Sequence, residues 1–212
     1  ATIRSRIDYI IKAFTKFRIP CTPFSVTLLL WILEKGGDCQ PSNMALLLDS
    51  FLTEMLKDCN GDFTKEKFNQ DNKKHLLANI AFAMHKEEID SARENRDYHF
   101  TYSNFLGVIE KHLESMELKM VKAKNLAEDL LHVGLFVQDS NKSIVYFRFR
   151  CFMEYFLAKK MQMTEDFFKN VLEENNYLNY CNEIFYFTGL TRDKVTVLQR
   201  IFTRLEVVFY DM

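Results

Sequence analysis

Glycine and proline are scarce in this chain, at six and three of 212 residues. Few helix breakers beside many Leu, Phe, Lys and Glu argue for a mostly helical protein. The glycines are also too few and too dispersed for a GxGxxG turn, and no GxxxxGK(S/T) segment is present to cradle a phosphate. No HExxH pair and no nucleophile elbow occurs. The histidines His75, His85, His99, His112 and His132 stand apart in the sequence, and His132, at the end of an expected helix, reads as a cap or packed residue rather than a base. Carboxylate pairs such as Glu87-Glu88 and Glu173-Glu174 read as solvated helix faces. These absences argue against an enzyme in its own right.

Long apolar runs are missing too. The longest, residues 26–33, includes Thr27 and falls far short of the roughly 20 residues that cross a bilayer. No secretory leader opens the chain, which begins with Ala rather than Met and so reads as a fragment or processed form. Charge of one sign is not in excess: the formal net charge is -1, so no global field draws the protein to nucleic acid or anionic lipid. The five cysteines, Cys21, Cys39, Cys59, Cys151 and Cys181, are odd in number and form no CxxC pair, which points to reduced thiols and the cytoplasm. A zinc site built from Cys39, Cys59, His75 and His85 fits no standard ligand spacing, and no metal is expected.

What the chain does have is 48% hydrophobic residues, enough for a sizeable core, in helical patterns. Ile3, Ile7, Ile10, Ile11, Phe14 and Phe17 form one stripe. Pro20 and Pro23 stop that helix, and Thr22 with Pro23 starts the next, "PFSVTLLLWILEK", which is apolar nearly all round and closed by Gly36-Gly37. A third helix, "MALLLDSFLTEMLKDC", takes its cap from Ser42 or Asn43. After a polar loop over 62–72, a fourth carries Leu76, Leu77, Ile80, Ala81 and Met84 on one face. Residues 88–100 are charged and weakly patterned, and a soft boundary is expected there.

From Thr101 the rhythm changes. Two amphipathic helices, "TYSNFLGVIEKHLESM" and "VKAKNLAEDLLHVGLF", are followed by two β-prone runs, "LFVQDS" and "SIVYFRFR", with Asp139 to Lys142 as a hairpin turn. Strand alternation over the second run places Val145, Phe147 and Phe149 on a core face and Tyr146, Arg148 and Arg150 on the other. A helix resumes near Cys151. Helix, helix, hairpin, helix is the order of a winged-helix unit. Beyond Met163, Thr164-Glu165 and Thr191-Arg192-Asp193 start further helices, the last with Leu198, Ile201, Leu205, Val208 and Phe209 in want of a partner. The expected architecture is mainly α: a helical domain over 1–98, a winged-helix domain with a small β-hairpin over 99–163, and the start of a helical array over 164–212.

The stretch "YFRFRCFMEYFLAKKM" resembles the F-x-H-x-x-F-x-E-(Y/F)-(F/L)-A-A signature near the end of the winged-helix domain of NACHT and related STAND NTPases. Phe147, Phe152, Glu154, Tyr155 and Ala158 stand at matching places. The preceding "NLAEDLLHVGLFVQDSNKSIVYF" is similar to the lead-in of that domain. "RIPCTPFSVTLLLWILEK" resembles the opening of the family's small helical domain, and "YLNYCNEIFYFTGLTRD" the helical region that often follows.

The resemblance implies a regulatory and oligomerisation module that couples nucleotide state and ligand sensing to effector activation in antiviral or innate immune signalling. An ATPase core and an effector would precede it in the same chain, ATP or ADP with Mg would belong to the full-length protein, and activation would form a homo-oligomer. Pro20, Thr22 and Pro23 would lie beside the nucleotide. The family histidine that faces the phosphate corresponds to Phe149, which has no hydrogen to donate. Either Arg148 or Arg150 substitutes through a local twist, or the latch is absent, as the strand alternation favours. Glu154 reads as a structural carboxylate in the first turn of its helix. The alternative is a winged-helix DNA-binding regulator, with "VKAKNLAEDLLHVGLF" in the groove and Arg148, Arg150, Lys159 and Lys160 on phosphates. Glu128 and Asp129 on that helix oppose it, so neither nucleic acid nor membrane is expected as a partner.

Overall fold

A computed structural model describes residues 3–17, 22–34, 41–57, 59, 68–90, 98–118, 121–139, 141, 143–173, 176–191, 195, 197–199 and 202–203. The protein is mainly helical with one small antiparallel sheet. The elements are α1 (Ile3–Phe17), α2 (Pro23–Glu34), α3 (Met44–Lys57), α4 (Gln70–Asp90), β1 (Phe100–Thr101), α5 (Tyr102–Ser115), α6 (Ala123–His132), β2 (Phe136–Asp139), β3 (Ile144–Phe147), α7 (Arg150–Met163), α8 (Glu165–Val171), a 3-10 turn (Asn176–Tyr180) and α9 (Cys181–Leu190). They fall into two compact units, one of Ala1–Glu54 with Met161–Met212, the other of Met55–Lys160.

In the first unit the helix starts follow their caps. Thr22 Oγ1 accepts from the Ser25 amide at 3.2 Å while Ser25 Oγ accepts from the Thr22 amide at 3.0 Å, a reciprocal cap with Pro23 in the first helical position. Asn43 caps α3: its Oδ1 accepts from the Leu46 amide at 2.9 Å. Its Nδ2 donates to the Gly189 carbonyl at 2.9 Å, tying the end of α9 to the start of α3. A side chain at Gly189 would not fit, because a Cβ there would stand 2.6 Å from the Ala45 Cβ. Trp31 of α2 meets Phe51 of α3 edge-on, and Phe168 of α8 stacks on Phe187 of α9. Within the α1 stripe Phe14 is buried and Ile10 half-buried, while Ile7 and Ile11 are exposed. Leu198 is exposed, whereas Ile201, Leu205, Val208 and Phe209 lie outside the described residues.

In the second unit Thr101 caps α5 through the Asn104 amide at 3.2 Å, and Gly134, just past the Val133 C-cap of α6, has a φ of 81° that suits glycine. The expected hairpin forms, with Phe136 opposite Phe147 and Asp139 opposite Ile144. Asp139 Oδ1 accepts from the Asn141 amide at 3.0 Å and tightens the turn. A third strand was not expected: β1 pairs with the other edge of β3, giving the order β1-β3-β2. Rings from four elements make a continuous core, running Phe105, Phe136, Phe147, Phe156 with centroids 4.9, 4.3 and 5.8 Å apart. On α4, Leu76, Leu77, Ile80, Ala81 and Met84 are all buried, and the helix starts at Gln70, earlier than the polar sequence suggests, because Asn69 caps it through the Asn72 amide.

Three expectations at the hairpin's exit require correction. β3 ends at Phe147, so Arg148 and Phe149 are not strand residues and Arg150 opens α7. Phe149 is therefore not core but 43% exposed. Its carbonyl accepts from the Phe152 amide at 3.0 Å, so the backbone is already turning into helix. Glu154 is not in the first turn of α7, and its charge is met by Arg150 one turn earlier rather than by the helix dipole.

Candidate functional site at the hairpin to helix junction

Beyond β3 the chain presents Arg148, Phe149 and Arg150 in succession, and local geometry gives each a different task. The Arg148 amide donates to the Leu135 carbonyl at 2.9 Å, extending the hairpin ladder by one bond. Its side chain turns back over the end of α6, where Nε donates to the Gly134 carbonyl at 2.8 Å. A Cβ at Gly134 would lie 3.4 Å from that Nε, so the guanidinium rests on bare backbone. Its remaining nitrogens have no partner among the described residues.

Arg150 is committed elsewhere. Its Nε donates to Glu154 Oε1 at 3.1 Å, and its guanidinium carbon lies 6.0 Å from the centre of the Tyr98 ring. Glu154 is buried and Arg150 largely exposed, so the pair joins a carboxylate under the surface to a solvated cation. Phe149 sets its ring edge-on to Phe152 at 5.2 Å and leaves much of its surface to solvent. Phe147, Phe152, Tyr155 and Ala158 are buried and form the underside of the junction, with Lys159 Nζ 5.8 Å from the Tyr155 ring centre. Cys151 is pushed up to about 12, by burial first and then by the Glu154 charge, so it stays a thiol at neutral pH.

Of the other expected site residues, Thr22 and Pro23 are exposed at the start of α2 in the first unit, and Pro20 lies outside the described residues. Cys39 lies outside them as well; among the described residues no three His, Cys, Asp or Glu side chains converge as a metal site would require.

Two polar assemblies in the second unit, one around buried Lys73 and one around buried His112, escaped sequence reasoning. Lys73 Nζ donates to the Leu56 carbonyl at 3.0 Å and the Cys59 carbonyl at 2.6 Å, closing the end of α3. Burial pushes the Cys59 thiol up to about 11 despite the nearby ammonium. The second assembly joins three helices: Lys160 of α7 donates to Asn79 of α4 at 2.9 Å, and Asn79 meets His112 Nδ1 of α5 at 3.1 Å. His75 lies against His112, with ring centroids 5.3 Å apart. Burial first, then the charges of His75 and Lys160, push His112 down to about 4. No sequence spacing announces either assembly, because each joins residues far apart in the chain.

Residues 98–157 match the family model described as Novel STAND NTPase 4. The matched stretch runs from the residues before β1 to the middle of α7 and so contains the whole sheet and the junction. It supports a relation of this segment to STAND NTPases. No curated protein and no solved structure matches the chain. Among the described residues no helix is long and apolar enough to cross a membrane.

Proposed function

We propose that this chain is the regulatory and oligomerisation region of a NACHT-like STAND ATPase in defence signalling. In this reading, β1 through α7 form the winged-helix element, the helices before it the small helical domain, and those after it the start of a sensor. The full-length protein would hold ATP or ADP with Mg in an ATPase core upstream, and ligand sensing would release that core to oligomerise and gather effectors. The carrying observation is that the family match coincides with one continuous order of elements, helix, helix, hairpin, helix.

At the junction, Phe149 cannot supply the phosphate contact of the family histidine. Because β3 stops before Arg148, strand alternation does not turn either arginine away from that position. Arg150 is paired with Glu154, which leaves Arg148, held by Gly134, as the cation for an oxyanion. This chain alone would neither hydrolyse ATP nor bind it tightly, since it contains no phosphate-cradling loop.

The test is the nucleotide cycle of the protein encoded by the complete reading frame. A Walker A segment upstream and faster ADP release on Arg148→Ala are the expected results. An uninterrupted frame without such a segment, or ATP turnover by the 212-residue chain, would overturn the reading. Salt-sensitive micromolar duplex binding in a gel shift would instead favour a DNA-binding regulator. The face of α6 pairs Lys124 with Glu128 at 3.9 Å, which weakens that surface for phosphate contact.

A further inference from the structure

The polar chain through α7, α4 and α5 contains a donor and acceptor order that admits only one protonation state. Lys160 Nζ lies 2.9 Å from Asn79 Oδ1, and an ammonium only donates, so this contact fixes which end of the amide faces α7. The amide's NH2 group therefore faces His112 Nδ1, 3.1 Å away. An NH2 group also only donates, so Nδ1 must accept, and the neutral imidazole carries its proton on Nε2. That Nε2 is buried without a partner among the described residues.

We propose that His112, Asn79 and Lys160 form a proton-operated latch, which holds α5 and α7 to α4 and is released when the imidazole takes up a second proton. A proton on Nδ1 would set two donors against each other across the Asn79 contact. Turning the amide over would relieve that conflict only by placing its NH2 against the Lys160 ammonium. With both cations present, no orientation of Asn79 satisfies both neighbours, so one hydrogen bond must open. The charges facing the imidazole work the same way: His75 from α4 and Lys160 from α7 are its titratable neighbours, and both oppose a positive charge. Lys160 has no carboxylate partner among the described residues to absorb the conflict; its other contact is the Phe82 ring, 5.4 Å from the ammonium.

In the closed state His112 is held at about 4, and a released imidazole returns toward 6.5. The closed state is thus fully favoured above the released value and loses ground as pH falls through it. Between about pH 7 and pH 5 the ratio of open to closed molecules rises roughly 20-fold. This latch does not depend on the nucleotide-switch reading.

The test is a titration of the histidine ring signals of the 212-residue chain by NMR, together with amide hydrogen exchange in α5 and α7. His112 is expected to titrate well below the ordinary range, with the opening equilibrium rising about 20-fold from pH 7 to 5. Lys160→Met frees the amide to turn over and raises the proton affinity of His112 about tenfold or more. Asn79→Asp, which accepts from both neighbours, lifts it above the ordinary value and removes the acid-driven opening. A wild-type His112 that titrates near the ordinary value would overturn the latch. So would a Lys160→Met protein whose His112 does not move, because burial alone would then set its affinity. Should neither variant fold, the wild-type titration and exchange decide.

Discussion

Arg148 Nε donates to the carbonyl of Gly134 at 2.8 Å, and this bond aims the exit of the hairpin. Gly134 is at once the stop of α6, a backbone position with φ of 81°, and the bed of a guanidinium. Gly134→Ala is expected to cost about 1–2 kcal/mol from the left-handed backbone alone. It should also push the Arg148 side chain outward. Urea unfolding reads the first effect. The second should appear as a change in the Arg148 Nε–H NMR signal, which Arg148→Lys, lacking that group, would not show at all.

Gly189 packs closely on Ala45 in the first unit. A Cβ at Gly189 would stand 2.6 Å from that of Ala45, so Gly189→Ala should cost about 1–3 kcal/mol through overpacking. Ala45→Gly in the same protein should return part of the loss, and a double-mutant cycle of thermal unfolding measures the coupling. Simple additivity would mean that the joint yields elsewhere.

The two phenylalanines that flank Arg148 should behave oppositely. Phe147 is buried between Phe136 and Phe156, so Phe147→Ala should cost about 3–5 kcal/mol. Phe149 is 43% exposed, and Phe149→Ala should cost less than about 1 kcal/mol. Denaturant midpoints of the two variants provide the comparison. Equal losses would place Phe149 in the core after all.

Alkylation should rank the cysteines. Cys181 is exposed, while Cys59 and Cys151 are held as thiols, up to about 11 and about 12. Among these three described cysteines, iodoacetamide at neutral pH should modify Cys181 first, the half-buried Cys151 thiol more slowly, and Cys59 only as the protein opens. Mass spectrometry of timed samples checks the order.

Local chemistry was legible in the sequence wherever it acts over a few residues. Thr22, Asn43 and Thr101 cap the helices that follow them, and the turn after Asp139 joins two strands in the register that buries Phe136 and Phe147. What was not legible depends on partners distant in the chain. Period-two patterning continues through Phe149, but the strand stops at Phe147, because the Arg148 side chain turns to Gly134 and the Phe149 carbonyl enters helix. Glu154 looked like a first-turn carboxylate only because the helix was expected to begin later than Arg150. Ile7 and Ile11 show the reverse case: an apolar stripe does not reveal which part of it another element covers. His75 and His112, apart in the sequence, lie against each other once α4 and α5 pack.

The two-residue strand β1 is short, yet it makes β3 an interior strand. Phe100 and Thr101 pair with Val145 and Ile144, and the Tyr102 amide donates to the Ser143 carbonyl at 3.1 Å. A protein trimmed to begin at Tyr102 would keep every helix of the junction and lose this seam. The bared flank of β3 could then recruit the same strand of another molecule, so self-association is the hazard to watch for in any shortened version.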